Sequence, residues 1–268
     1  MAMDLLEHLA NDSARFRRAL TDVEAERPVP ACDGWTAEDL LWHLTRVQWL
    51  WGTVVRDRLH ARPDDAAAPA RPREHAAALT LFDTQSARLQ QALADVDDLD
   101  EQVWSFKNDA QPLRWSVRRQ AHEALIHRVD AEMTASLPIA MDPALASDGV
   151  DELLSQYVHG VPAWATFTPD GTDISVLATD TNRIWTLTLG RMTGTSTDSG
   201  RVYEGDDALD ACEVRIPLVS ALADTVVRGL SGDLNRWLWG RGPLSALVVA
   251  GDNAVVARAR AMIANSTG

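Results

Sequence analysis

Apolar residues recur at helical spacing through the first half of the chain. Leu9, Phe16 and Leu20 fall on one stripe, because separations of four and seven residues return to the same face of a helix. Thr36 begins a second segment of this kind, and Asp39, three positions later, resembles the partner of a capping box. The pattern predicts helices over about 3–25, from Thr36 onward, over 73–95 and over 116–136. Four helices with two long connections predict an all-α four-helix bundle over 1–140.

The periodicity changes near residue 140. The segment SLPIAMDPALASD interrupts both helical and strand periodicity, and we interpret it as a linker. Beyond it, DISVLATD, RIWTLTLG and ACEVRIPL have strand character, and TPDGTD and TGTSTDSG have the composition of turns. Further helices are predicted at about 148–158, 217–230 and 252–264. The second half therefore predicts a C-terminal α+β domain over 148–268.

Composition and charge exclude several classes of partner. The formal net charge of -14 would repel nucleic-acid phosphates and anionic lipid, so we expect no nucleic acid and no membrane as partners. The most apolar stretch, LLWHLTRVQWLWGTVV, is broken by polar residues before it reaches the ~20 apolar residues of a membrane span. Cys32 and Cys212 form no closely spaced pair, and the N-terminal segment lacks the features of a secretory signal. These features predict a soluble, cytoplasmic protein.

Three residues have the types and the spacing of a metal site. Glu123 and His127 are four residues apart, so on a helix they project from the same face. His43 falls within the apolar arc of its own helix and should point into the bundle, where an imidazole needs a partner. Two histidines and one carboxylate form a known catalytic zinc set with a fourth position open, although iron or nickel would also suit it. The alternatives are a core histidine held by a hydrogen bond and a solvated Glu/His pair.

Other residues near this set leave alternatives open. His122 lies nearer the middle of the apolar stripe than Glu123 and is a rival ligand. Asp130 either holds the imidazole of His127 in one tautomer or pairs in solvent with Arg128 or another cation. Arg241, between two glycines, either clamps a carboxylate with both nitrogens or is an exposed turn arginine. Four tryptophans at the entry and in the body of the second helical segment either pack in the core or form the wall of a ligand pocket, namely Trp35, Trp42, Trp49 and Trp51.

The segments GWTAEDLLWHL and AHEALIHRVDAE, followed by DLNRWLWGRG and VVAGD, resemble the mycothiol-dependent maleylpyruvate isomerase family. The resemblance covers essentially the whole chain. It implies a DinB-like metal-binding bundle and a C-terminal domain related to sterol-carrier folds. It also implies that His43, Glu123 and His127 hold the metal, with zinc as the expected ion and mycothiol as the thiol cofactor.

The activity that the resemblance implies is cis-trans isomerisation of maleylpyruvate to fumarylpyruvate, and other relatives are thought to be thiol S-transferases. A C-terminal arginine is thought to assist the isomerase; Arg241 is the catalytic candidate, and Arg215 also fits. The first hypothesis is therefore an enzyme that uses a small-molecule thiol on a small organic substrate. The second is a binding module that keeps a metal for structure and holds an apolar ligand or a protein partner at its C-terminal domain. A fourth protein ligand, such as His122, would favour the second hypothesis.

Overall fold

In the computed structural model, the chain divides into two compact units, Met1–Ile139 and Ala140–Gly268. The structure describes residues 3–107, 109–197, 199–214 and 222–267. Among these residues, no helix combines the length and the hydropathy that a membrane-spanning segment requires.

The N-terminal unit is helical, as the hydrophobic pattern predicts. Its helices are α1 (Leu5–Ala19), α2 (Ala37–Asp57), α3 (His75–Ala94) and α4 (Leu113–Thr134), and a short hairpin of β1 (Gln102–Val103) and β2 (Gln111–Pro112) precedes α4. Helix α1 packs against α3 and α4, and α2 packs against the same two helices. The prediction for α1 was too long at its C-terminal end, because the helix stops before Leu20 and the Thr21 hydroxyl turns back to the carbonyl of Arg17.

The predicted capping box sets the start of α2. The Thr36 hydroxyl accepts a hydrogen bond from the Asp39 backbone N–H at 3.2 Å, and the Asp39 carboxylate accepts one from the Thr36 backbone N–H at 3.0 Å. Together they satisfy two N–H groups that a helix start leaves without intrahelical partners. This fixed start places His43 about two turns into α2.

Helix α4 is buried around nearly its whole circumference, including many polar side chains. A buried charge needs a partner, and α4 supplies partners from its own turns and from α1. Arg128, only 1% exposed, donates to Asp12 at 3.0 Å and to Glu132 at 2.8 Å. Helix α4 is therefore the central polar element of this unit, and Glu123 and His127 lie on it.

The C-terminal unit is an α+β structure, as predicted. Its helices are α5 (Pro143–Leu153), which continues into a π-helical turn (Leu154–Val158), α6 (Ser231–Leu238) and α7 (Asn253–Thr267). Its strands are β3 (Ala165–Ala178), β4 (Arg183–Thr195), β5 (Val202–Val214), β6 (Thr225–Gly229) and β7 (Val248–Ala250). They form one sheet in the order β5-β4-β3-β6-β7, in which β3 and β6 pair in parallel and the other named neighbours pair antiparallel. Its core includes Val176, Trp185 and Leu187.

Three local predictions in this half were wrong. The predicted linker contains the start of α5, where Asp142 caps the helix and Pro143 occupies its first turn. The predicted turn TPDGTD is instead a bulge within β3, with a register shift between Pro169 and Thr172. The predicted helix at 217–230 is contradicted at Thr225–Gly229, which form β6; residues 215–221 lie outside the described residues.

Candidate metal centre

The structure brings His43, Glu123 and His127 together between α2 and α4. The Nε2 atom of His43 lies 3.3 Å from Oε1 of Glu123, and the Nε2 atom of His127 lies 3.2 Å from the same oxygen. The two imidazole rings meet edge to face, with centroids 4.7 Å apart. One candidate ligand atom from each residue therefore lies within 4.8 Å of the other two.

These separations test whether the three side chains fit a cation. Zinc bonds of about 2.0–2.1 Å in tetrahedral geometry place neighbouring ligand atoms about 3.3–3.4 Å apart. Charge-assisted hydrogen bonds between nitrogen and a carboxylate are shorter, about 2.7–2.9 Å. The observed separations of 3.2 and 3.3 Å between the carboxylate oxygen and the two imidazole nitrogens are close to the edge of a zinc tetrahedron, and the two nitrogens lie within 4.8 Å of each other. These separations suit a small divalent cation held by the three side chains.

The second carboxylate oxygen of Glu123 is held by Arg119, one turn earlier on α4. The Arg119 guanidinium donates to Oε2 of Glu123, and the arginine side chain is only 4% exposed. Burial raises the pKa of Glu123, but the charges of Arg119 and His127 outweigh burial and hold this pKa well below its ordinary range. The carboxylate is therefore ionised, with Oε1 facing the histidines. Arg119 was not predicted as part of the site, although its four-residue spacing from Glu123 places both side chains on one helix face.

His127 is oriented by Asp130, which is fully buried. The Nδ1 atom of His127 lies 3.0 Å from Oδ2 of Asp130, so a proton on Nδ1 leaves Nε2 to face Glu123. Arg128 pairs with other carboxylates, so the alternative pairing of Asp130 with Arg128 was wrong. Burial lowers the pKa of His127, but Glu123 and Asp130 together raise it to about 9.

Two further alternatives from the sequence are answered by the geometry. His122 is buried on α4, but it does not belong to the group of converging ligand atoms. Among the four tryptophans, Trp49 and Trp51 are buried, as core packing requires. Trp35 and Trp42 instead line a cavity beside His43.

Comparison with known proteins supports both halves of the chain. The family model described as "Mycothiol maleylpyruvate isomerase N-terminal domain" matches residues 6–132, and the model of the MDMPI C-terminal domain matches residues 144–258. The chain belongs to the mycothiol maleylpyruvate isomerase family. No curated protein matches it.

The chain is also similar in fold to a solved structure, that of the mycothiol-dependent maleylpyruvate isomerase. The two structures superpose with a TM-score of 0.57 at 15% sequence identity, and the match covers 92% of this chain and 93% of that chain. A histidine-to-alanine mutant of that enzyme gives 0.56 at 14% identity, with the same coverage.

Within the family's C-terminal domain, Arg241 is a half-buried side chain just after α6. Its guanidinium donates to the carbonyl of Trp239 at 2.7 Å and lies 5.9 Å from the centre of that indole ring. The other arginine candidate, Arg215, lies outside the described residues. The catalytic assignment of Arg241 therefore stays a prediction.

Proposed function

We propose that this chain is a zinc-dependent enzyme that uses mycothiol and acts on a small electrophilic substrate with a carboxylate. It would be either an isomerase or a thiol S-transferase. The observation that carries the proposal is the approach of two imidazole nitrogens, from different helices, to one carboxylate oxygen at 3.2 and 3.3 Å. Three protein ligands around a tetrahedral ion leave a position for a thiol. The solved family member is named as a mycothiol-dependent isomerase, which supports the same reaction class here.

The metal would be held by His43, Glu123 and His127. When bound, zinc would keep a thiol deprotonated at neutral pH, where a free thiol of pKa about 8.5 is mostly protonated, and so supply a nucleophile. Arg119 holds one oxygen of Glu123 and leaves the other for the ion. Asp130 would hold the proton on Nδ1 of His127 when the metal displaces the proton on Nε2, so that Nε2 would offer its lone pair to the ion.

The finer fold and substrate assignments belong to the same proposal. The helical unit would be a DinB-like four-helix bundle, and the C-terminal unit a sterol-carrier-like domain. Arg241 would bind the carboxylate of the substrate through its guanidinium, which suits carboxylates geometrically. We place the enzyme in a reducing cytoplasm, which fits a thiol cofactor and a chain of 268 residues with two cysteines.

Metal analysis and a thiol titration test the proposal. Protein purified without added metal should hold close to one equivalent of zinc, and less than about half an equivalent of any transition metal would contradict the metal site. The variants His43→Ala and His127→Ala should lose the metal and stay folded, whereas His60→Ala, at an exposed histidine of the same unit, should keep it. After cobalt substitution, mycothiol should shift the visible absorption of the metal. A spectrum that mycothiol leaves unchanged would favour the binding module instead.

A further inference from the structure

The candidate metal centre is open on the side of His43. The His43 side chain is 34% exposed, whereas those of Glu123 and His127 are 16% and 10% exposed. His43 is therefore the most exposed of the three candidate ligands, and we expect a cofactor that reaches the centre to contact the surface around this residue.

A cavity of about 480 Å³ lies at this opening. Its volume is within the roughly 300–1,000 Å³ of small-molecule sites. It is lined by the first turns of α2 and the loop before them, namely Gly34, Trp35, Asp39, Trp42, His43 and Arg46. The ring centroids of Trp35 and His43 lie 4.9 Å apart, so the aromatic wall is continuous with the metal centre.

Asp39 and Arg46 line this cavity, and each forms an ion pair with a residue outside the cavity lining. Asp39 accepts from Arg71 at 2.9 Å, and Arg46 donates to Asp65 at 2.7 Å. The Arg46 guanidinium also lies 5.8 Å from the centre of the Trp42 ring. The cavity therefore combines indole surface and polar atoms with little net charge.

We propose that this cavity binds the neutral, hydroxylated ring portion of the thiol cofactor. This inference rests on the proposed function. In mycothiol, an acylated cysteine is joined to two uncharged polyol rings, glucosamine in amide linkage and inositol. The C–H faces of such rings pack on indole, and their hydroxyls pair with groups such as Asp39 and Arg46. Thiols with several anionic groups, such as glutathione or coenzyme A, should bind less well, because the positive charge of Arg46 is already paired with Asp65.

Cobalt-substituted protein allows the rings and the thiol to be tested separately. Wild type and Trp42→Leu are titrated with mycothiol and with N-acetylcysteine amide, which keeps the neutral acylated cysteine and lacks both rings. We expect Trp42→Leu to weaken mycothiol roughly tenfold and to leave the fragment unchanged. The control is Trp104→Leu, a half-buried tryptophan of the same unit that does not line the cavity and should weaken neither thiol.

The outcomes separate the two proposals. If neither thiol changes the wild-type spectrum, the proposed function fails. If wild type responds to mycothiol but Trp42→Leu binds it equally well, or weakens both thiols alike, only the cavity assignment is overturned. Saturation-transfer NMR on wild type gives a measurement that needs no variant: the ring protons of mycothiol should receive saturation from the protein, and ring protons without transfer would overturn the assignment.

Discussion

Replacing Asp130 by asparagine tests whether the centre depends on more than its three candidate ligands. Asp130 is fully buried, and its Oδ2 lies 3.0 Å from Nδ1 of His127. The amide of Asp130→Asn has nearly the same volume but no negative charge, so the packing is retained while the partner of the imidazole changes. In this variant we expect Nε2 of His127 to donate its electron pair to a metal less strongly, and the imidazole ring to be held less firmly in its orientation.

The expected loss follows from the usual effect of such outer partners, which is about 10- to 100-fold in metal affinity. That range corresponds to about 1.4–2.7 kcal/mol. Zinc affinity is measured by competition with a chromophoric chelator at fixed pH, so that the wild type and the variant are compared in one titration format.

The chain offers a matched control two residues along the same helix. Glu132 is 4% exposed and contacts Arg15 and Arg128 instead of the histidines. Glu132→Gln makes the same carboxylate-to-amide change and should destabilise the fold without lowering zinc affinity. The reasoning is refuted if Asp130→Asn binds zinc as tightly as wild type, or if both variants lose affinity equally.

Two further predictions concern the metal-free protein. Arg119→Met removes the buried cation beside the largely buried carboxylate of Glu123, which is 16% exposed, and should lower the free energy of unfolding by roughly 3–5 kcal/mol. The measurement is urea denaturation with a chelator present, and a loss below about 1 kcal/mol would contradict the prediction. Because the pKa of His127 is raised from 6.5 to about 9, its protonation stabilises the fold fully below pH 6.5, and this contribution, roughly 3 kcal/mol, is lost as pH rises through 9. The stability difference between wild type and His127→Gln should therefore shrink over that interval, and a constant difference would be inconsistent with the raised pKa.

The sequence predicted correctly those elements that depend on residues close together in the chain. The capping box at Thr36 and the apolar stripes of α1 to α3 depend on residues within one helix, so their periodicity was sufficient. The convergence of His43 with Glu123 and His127 was also foreseeable, because both faces point inward from neighbouring helices.

The missed features depend on partners that are distant in sequence. Strand β6 contains Val226 and Val227, whose extended conformation is selected by parallel pairing with β3, some fifty positions earlier. The polar residues of α4 look like a solvated face until their partners are known, and Arg128 finds Asp12 at a separation of 116 residues. Tertiary structure therefore decides which polar residues are buried, and no helical wheel contains that information.

The charges around the centre also give a reason to expect that an anionic thiolate, and not a neutral thiol, would bind there. Glu123 and Asp130 contribute two negative charges and Arg119 one positive charge, so with both imidazoles neutral the group carries one net negative charge. A divalent cation among these residues would reverse the balance to one net positive charge in a site of low dielectric. A thiolate would cancel that charge, whereas a neutral thiol or water would leave it uncompensated. Arg119 thus holds one oxygen of Glu123, and in the proposed metal-bound site its charge would also help to favour ionised sulfur.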